Sequence, residues 1–448
     1  MKLSRFNLWV NDYPQKGENL LFNTRTQAII KVNEELKQSL ESLSKKQNSV
    51  RSSLVNDNIQ ALKENGIIVE DEKEEAKKLD EFFHHLRNDT CGLSFEATIL
   101  TTYNCNFSCV YCFEESVRDE VFMDQQTSHK VIDWLIKKIK KENYKKIFLV
   151  FYGGEPLLNV EPIYCISYAM HKWAKENGAD FKFGMITNGS LLAPELVDGL
   201  IPLGLSDIRI TVDGDREAHD QKRPFTNGRP TFDCIMENIK KIINKKISIG
   251  ISGNFDRENY DSIPRLLDYL EQEDILDKLQ KIEFAPLNPR LGPKETPGAV
   301  ELEHCFSFSS VSGLHQEVVN IKKELMRRKL NTDTGLAVNA CALVMKHAGV
   351  TIDPEGVLYK CNALVGYPEF SIGNVNDEFF NKQDEKFFNI KAWEKCPKDC
   401  PYVPMCQGGC RFFSYMENND YSRISCKREY LDLITPELIK LEYEKLIA

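Results

Sequence analysis

Fourteen cysteines in a chain of 448 residues constrain this sequence more than anything else in it. Cys105, Cys109 and Cys112 are spaced CxxxCxxC. Seven more, Cys341, Cys361, Cys396, Cys400, Cys406, Cys410 and Cys426, crowd the carboxyl-terminal region. Residues 1–15 carry Lys2, Arg5 and Asp12 with no apolar core, so they are not a secretory signal and a cytoplasmic chain is expected. Structural disulfides are rare in that compartment. Three closely spaced thiolates can instead hold three irons of a [4Fe–4S] cluster and leave the fourth open. Zinc on a CxxC pair is the alternative, but no fourth Cys or His stands near Cys105–Cys112.

A net charge of -9 offers no basic excess for phosphates, which argues against nucleic-acid binding. The longest strongly apolar run, Ile147–Tyr152, is far short of the roughly 20 residues of a membrane span. At about 150 residues per domain, two or three domains are expected.

Hydrophobic periodicity divides the chain into 1–88, 89–310 and 311–448. The first part reads as strands at Leu3–Val10 and Leu20–Val32 around a turn at Pro14 and Gly17. Helices follow at Glu34–Leu43 and Leu54–Asn65, then a stop at Gly66 and a strand at Ile67–Glu70. That order suits a winged-helix-like α+β module, with charged Asp71–Asn88 as a linker helix. The second part alternates helices with strands at Phe95–Thr102, Lys146–Tyr152, Phe181–Thr187, Asp207–Asp213, Ile247–Ser252 and Lys281–Ala285. Gln126–Lys141, with Val131, Leu135 and Ile139 at helical spacing, is one such helix. Six units predict an α/β fold, a partial (β/α)6 TIM barrel. The third part has a helix near Leu314–Leu330 and then the cysteine-rich region.

CxxxCxxC after the first of six barrel strands resembles the radical S-adenosylmethionine (SAM) superfamily. Gly153-Gly154-Glu155-Pro156, after the second strand, resembles the family segment that receives the methionine amino group. Glycines allow close backbone approach, and Glu155 supplies an acceptor. Thr187-Asn188-Gly189 and Thr211-Val212-Asp213-Gly214 resemble segments that contact the SAM ribose or carboxylate. The run from Asp213 through His219 and Asp220 to Arg223 also resembles family sequences, and the resemblance implies Arg223 as the partner for that carboxylate. Tyr111 matches the aromatic position beside adenine. Thr-Asn-Gly and Asp-Gly are also common turns, so these matches carry weight only beside the cysteines.

The seven later cysteines resemble the SPASM extension, which binds two auxiliary [4Fe–4S] clusters. The resemblance assigns Cys396, Cys400, Cys406 and Cys426 to one. It assigns Cys341, Cys361 and Cys410 to the other, with Cys305 or an open iron completing it. Three residues rather than the usual two separate Cys396 from Cys400. Cys91, Cys165 and Cys234 fit no spacing and read as structural thiols. His84-His85 read as helix residues rather than a metal site.

Three [4Fe–4S] clusters and SAM imply a 5′-deoxyadenosyl radical that takes hydrogen from an unactivated carbon. Residues 1–88 resemble the PqqD-like element that binds the leader of a precursor peptide, here between Ala28–Val32 and Leu54–Asn65. The whole resembles a thioether-forming maturase of the SCIFF or ranthipeptide type. Its expected partners are a precursor peptide and an electron donor such as flavodoxin or ferredoxin. No catalytic acid or base is assigned. Carbon–carbon cross-linking and epimerisation stay open as outcomes. The nearest alternative is an anaerobic sulfatase maturase, but Asn362 stands after Cys361 where that group carries an acid, and an amide cannot serve as base. A zinc-binding adaptor is the alternative of another class.

Overall fold

A computed structural model gives the fold of residues 1–44, 58–88, 94–117, 120–292, 299–300, 313–330, 332–346, 349–378 and 380–447. The strands are β1 (Lys2–Leu3), β2 (Asn7–Val10), β3 (Glu18–Asn23), β4 (Ile29–Asn33), β5 (Ile68–Val69), β6 (Ser94–Leu100), β7 (Lys146–Tyr152), β8 (Asp180–Thr187), β9 (Leu205–Thr211), β10 (Ser248–Phe255), β11 (Lys281–Pro286), β12 (Arg290–Leu291), β13 (Ala299–Val300), β14 (Val350–Ile352), β15 (Val357–Tyr359) and β16 (Gly373–Asn374).

Strands β6 to β11 are the six expected from the sequence, parallel and adjacent in chain order. The alternation in β7 shows why they form. Ile147, Leu149 and Phe151 are buried, while Phe148, Val150 and Tyr152 are half-buried on the opposite face. Helices such as Gln125–Glu142 and Val160–Asn177 cross back between strands. Asp124 caps the first of these, accepting from Thr127 N at 2.7 Å.

The sheet does not stop at β6. β14 adds in parallel beside it, pairing Val350 with Ala97 and Ile352 with Ile99, and β15 and β16 follow antiparallel. The cysteine-rich region thus continues the barrel sheet: Cys361 comes two residues after β15, and Cys105 five residues after β6.

The amino-terminal module differs in detail from its sequence reading. Leu3–Val10 is two strands, because the chain turns at Ser4–Phe6, where Ser4 Oγ donates to Glu75 Oε1 at 2.7 Å. Leu20–Val32 is a hairpin of β3 and β4. Its reversal is pinned by Asn23 Oδ1, which accepts from Arg25 N and Thr26 N at 3.1 Å each. The second helix runs Ile59–Glu64, and the expected residues 54–57 lie outside the described ones. Gly66 at φ +72° ends it, and β5 returns antiparallel to β1.

The segment expected as a linker is a packed strut. Helix Glu72–Asn88 buries Glu75, Leu79, Phe83 and Arg87, one residue per turn. Phe83 stacks on Trp393 with ring centroids 4.2 Å apart, and Arg87 Nε donates to Val344 O at 3.1 Å. Arg5 donates to Lys398 O, and Thr24 Oγ1 to Pro401 O at 2.6 Å. The module is therefore bolted to the Cys396–Cys406 segment. On its other side the carboxyl-terminal helix Arg428–Ile447 packs Ile434, Leu438 and Ile439 against Val10, Leu20 and Phe22. Truncation of a buried phenylalanine costs about 3–5 kcal/mol. Phe83→Ala should therefore accelerate amide exchange along Glu72–Asn88 and in the Cys396–Cys406 segment together; exchange confined to the helix would contradict this docking.

Candidate functional site

The loop after β6 brings Cys105, Cys109 and Cys112 to the carboxyl end of the sheet. Two contacts hold it there. Gly154 N donates to Thr102 O at 3.1 Å and Glu155 N to Asn104 O at 2.9 Å. Both glycines of the Gly-Gly-Glu-Pro turn are needed for this approach. Gly153 sits at φ +127°, and a Cβ at Gly153 or Gly154 would collide with the Thr102 or Asn104 carbonyl. The backbone that comes close is thus first of all the cysteine loop itself.

Glu155 is placed differently from its sequence reading. Its carboxylate, fully buried, accepts from Thr187 Oγ1 at 2.7 Å, Asn188 N at 2.7 Å and Leu157 N at 3.0 Å. Burial pushes its pKa up against those donors. Glu155 ties the ends of β7 and β8 together, and with Pro156 it lies behind the cavity wall that Gly153 and Gly154 form.

A cavity of about 860 Å³ opens at this end of the sheet. Cys105, Cys109, Cys112 and Tyr111 line one side of it, with Thr187, Asn188, Thr211 and Arg223 beside them. Asp213 is buried beneath. Tyr111 Oη bonds the Asp213 carboxylate, accepts from Arg223 Nη1 at 2.6 Å, and meets Asn254 Nδ2 at 3.2 Å. Burial opposes the Arg223 charge, but Cys109, Tyr111 and Asp213 around it keep its pKa above the usual arginine value. Its Nε–H is buried and has no hydrogen-bond partner. His219 and Asp220 position rather than bind. His219 Nδ1 accepts from Asp213 N at 3.2 Å, and Asp220 Oδ1 accepts from Thr231 N and Phe232 N at 2.8 Å each.

The structure places the seven later cysteines in two groups. Cys341, Cys361 and Cys410 lie within electrostatic reach of one another. Burial, then Cys341 and Cys410, pushes Cys361 up to about 12. Cys396, Cys400, Cys406 and Cys426 share a small pocket of about 30 Å³. There burial and the three neighbouring thiols push Cys396 up to about 12. Between the sets lies Arg411, almost fully buried, donating to the carbonyls of Gly408, Gly409, Tyr421 and Arg423. All described cysteines are free thiols. Buried thiols that repel one another as thiolates need added positive charge to ionise together, and iron supplies it; the donor sets therefore fit clusters. Among the described residues no three His, Cys, Asp or Glu side chains converge on a single-ion site.

Cys91 and Cys305 lie outside the described residues. Cys165 and Cys234 are half-buried on helices Val160–Asn177 and Phe232–Ile242, and Cys234 Sγ donates to Ser190 O at 3.7 Å. His84 and His85 are exposed on their helix. The sequence reading missed two neighbours of the first cysteine set. Glu114 and Tyr152 line the same cavity, and nothing in their spacing marks them.

Cys361 and Cys410 line that cavity too. One buried contact braces the two segments: Tyr103 Oη donates to Asp353 Oδ2 at 2.9 Å, joining the Cys105 loop to the turn between β14 and β15.

Residues 99–270 match the sequence profile of the Radical SAM superfamily. They form a radical SAM domain. A cysteine-type anaerobic sulfatase-maturating enzyme of Clostridium novyi is 24% identical over 328 residues, 69% of this chain and 85% of that one. Radical SAM cyclopropyl synthase TigE of Paramaledivibacter caminithermalis is 23% identical over 361 residues, 73% and 70% of the two chains. Among solved structures, anSMEcpe with bound AdoMet superposes with a TM-score of 0.58 at 16% identity, over 79% of this chain and 98% of that one. Streptococcus suis SuiB bound to its precursor peptide SuiA superposes at 0.55 and 13% identity, over 95% and 98%. At such identities the likeness is one of fold. Only a match as long as that to SuiB takes in most of residues 1–88.

Burial raises Asp353 from an ordinary 3.8 to about 6. An acid that holds its proton more tightly when folded favours the fold at low pH and loses that contribution as pH rises from about 3.8 through 6. Between pH 5 and pH 7 the loss is roughly 1 kcal/mol. Asp353→Asn is free of it, so the melting temperature of the variant relative to wild type should rise across that interval. A constant difference would place the Asp353 proton elsewhere.

Proposed function

We propose that this chain is a radical SAM enzyme that modifies a ribosomally made precursor peptide, joining a cysteine sulfur to carbon as a thioether. The observation that carries the reading is the shared cavity, lined by Cys105, Cys109 and Cys112 and also by Cys361 and Cys410. Its volume suits a cofactor and part of a substrate together. Cys105, Cys109 and Cys112 would hold a [4Fe–4S] cluster, which would supply the one-electron reduction of SAM that radical hydrogen abstraction from the substrate requires.

The chain's own residues prepare that event. Gly153 and Gly154 offer backbone to the methionine amino group. Arg223 presents an unpartnered N–H to its carboxylate, and Tyr111, tethered through Asp213, flanks the adenine. Thr187, Asn188 and Thr211 line the ribose side. The surrounding walls keep water from the radical.

Cys341, Cys361 and Cys410 are a three-thiol set whose cavity side can accept a substrate thiolate. Cys396, Cys400, Cys406 and Cys426 form a four-thiol set that offers an exit route for the second electron, while flavodoxin or ferredoxin supplies the first. In this SPASM-like reading the chain holds three clusters. Residues 1–88 supply a PqqD-like leader site: among the described residues β4 pairs on one side only, with β3, so an extended leader can add at its other edge. That SuiB was solved with its precursor peptide supports a peptide substrate. A cytoplasmic setting follows from cluster chemistry, and no described helix is long and apolar enough to cross a membrane.

The sulfatase-maturase alternative has relatives in its favour but lacks its base. Asn362 lines the cavity and accepts from Thr351 Oγ1.

Reconstituted anaerobically, the protein should hold about 12 irons per chain and release 5′-deoxyadenosine on reduction with SAM. Cys105→Ala, Cys109→Ala and Cys112→Ala together should remove about a third of the iron and all of the deoxyadenosine. A triple variant that still cleaves SAM would falsify the assignment.

A further inference from the structure

The cavity has a charged flank that none of the preceding roles uses. On β9 and β11, Arg209 and Glu283 face it and form an ion pair at 3.4 Å, each about a third exposed. Gly250 and Ser252 of the intervening β10 lie opposite them in register, and both are too short to keep them apart. Lys281 reaches the same Glu283 carboxylate at 2.6 Å. Helix Leu314–Arg327, which packs beside β11, contributes half-buried Lys322, whose ammonium donates to Asp333 O and feels the charges of Asp333 and Glu283. The Asp333 carboxylate itself accepts from Gly335 N at 2.8 Å, and its residue is exposed. Three cations thus gather on one lumen carboxylate. Arg209 has five N–H donors in a planar fork, and its ion pair with Glu283 is made through Nη1.

The site is separate from the place assigned to SAM. Arg209 precedes Thr211 by two residues on β9, which puts it about 7 Å deeper along the strand than the Thr211–Arg223 rim. Ile186 on β8 is the register partner of Arg209, and with Tyr152 on β7 it continues the lining in apolar residues. A ligand in the cavity therefore meets carbon along β7 and β8 and excess positive charge along β9 to β11.

We propose that Arg209, Lys322 and Glu283 form a carboxylate-reading subsite that positions the substrate peptide by an acidic group, either an Asp or Glu side chain or the terminal carboxylate. This rests on the peptide-modifying reading. The incoming carboxylate takes the free face of the Arg209 fork and the Lys322 ammonium, while Glu283 holds the two cations apart when the site is empty. Charge-assisted hydrogen bonds of this kind are worth about tenfold in affinity over a neutral isostere.

The test uses the full-length reconstituted protein with SAM bound and three tripeptide probes in calorimetric titration at low salt: acetyl-Ala-Glu-Ala-amide, acetyl-Ala-Gln-Ala-amide and acetyl-Ala-Ala-Ala with a free carboxylate. The Glu probe should bind about tenfold tighter than the Gln probe. Arg209→Met and Lys322→Met should each erase the preference, and Glu283→Gln, by freeing the cations, should enlarge it. A gain of that sort cannot come from misfolding. Preference for the free-carboxylate probe alone assigns the site to a peptide terminus, and preference for the Glu probe alone to a side chain; both uphold the subsite. Indistinguishable behaviour of the three probes, whether all bind or none do, overturns it. So does a loss of SAM affinity in Arg209→Met equal to the loss of peptide affinity, which would give the charge to the cofactor. Deoxyadenosine is measured on the same samples. A charge preference without SAM cleavage leaves the subsite standing and removes the enzyme reading, while cleavage without preference does the reverse.

Discussion

The parallel pairing of β14 with β6 is the constraint on which the rest of the site depends. Three residue pairs, from Val350 with Ala97 to Ile352 with Ile99, put two distant segments on one rigid sheet. β6 delivers the CxxxCxxC loop and β15, next to β14, delivers Cys361. The two cysteine sets therefore line one cavity, with the distance between them governed by a hydrogen-bonded ladder. Tyr103 and Asp353 add a buried cross-brace between the same two segments. A hinge between barrel and cysteine-rich region would leave that distance free; a shared sheet does not.

A second dependence runs through the amino-terminal module. Phe83 on Trp393 and Thr24 on Pro401 seat it against the four-thiol segment, on the far side from the cavity. The segment joining Cys396 to Cys406 has little regular structure of its own, and its buried neighbours Tyr402 and Val403 pack with Phe6 and Leu79 of the module. The module thus supplies part of the core that this thiol set otherwise lacks. In the proposed function, one body both takes up a leader and shelters a cluster.

Much of this was legible in the sequence because apolar runs of about seven residues, each followed by an amphipathic stretch, have few alternatives to a parallel sheet. The CxxxCxxC set was legible from spacing, and the division of the seven later cysteines rested on the SPASM resemblance. The Leu20–Val32 hairpin was not, since its turn uses Asn23 and a left-handed Gln27 in place of Gly or Pro. Asp71–Asn88 looked like a solvated linker because one buried residue per turn is a faint signal among so many charges. Glu155 was read as an acceptor through the resemblance of its Gly-Gly-Glu-Pro segment, and its further tie to Thr187 and Asn188 at the end of β8 is a tertiary fact. The Arg209–Glu283 pair was hidden in the same way. Two half-buried charges on separate strands meet only because β10 places Gly250 and Ser252 between them.

The most direct test of the central claim, that thiol sets separated in sequence surround one radical site, is iron-edge anomalous diffraction from anaerobically grown crystals of the reconstituted protein. The account predicts three iron positions: at Cys105, Cys109 and Cys112, at Cys341, Cys361 and Cys410, and at Cys396, Cys400, Cys406 and Cys426, with the first two bordering one cavity. Zinc-edge signal at the cysteines, or iron at Cys341, Cys361 and Cys410 walled off from the first set, would contradict it.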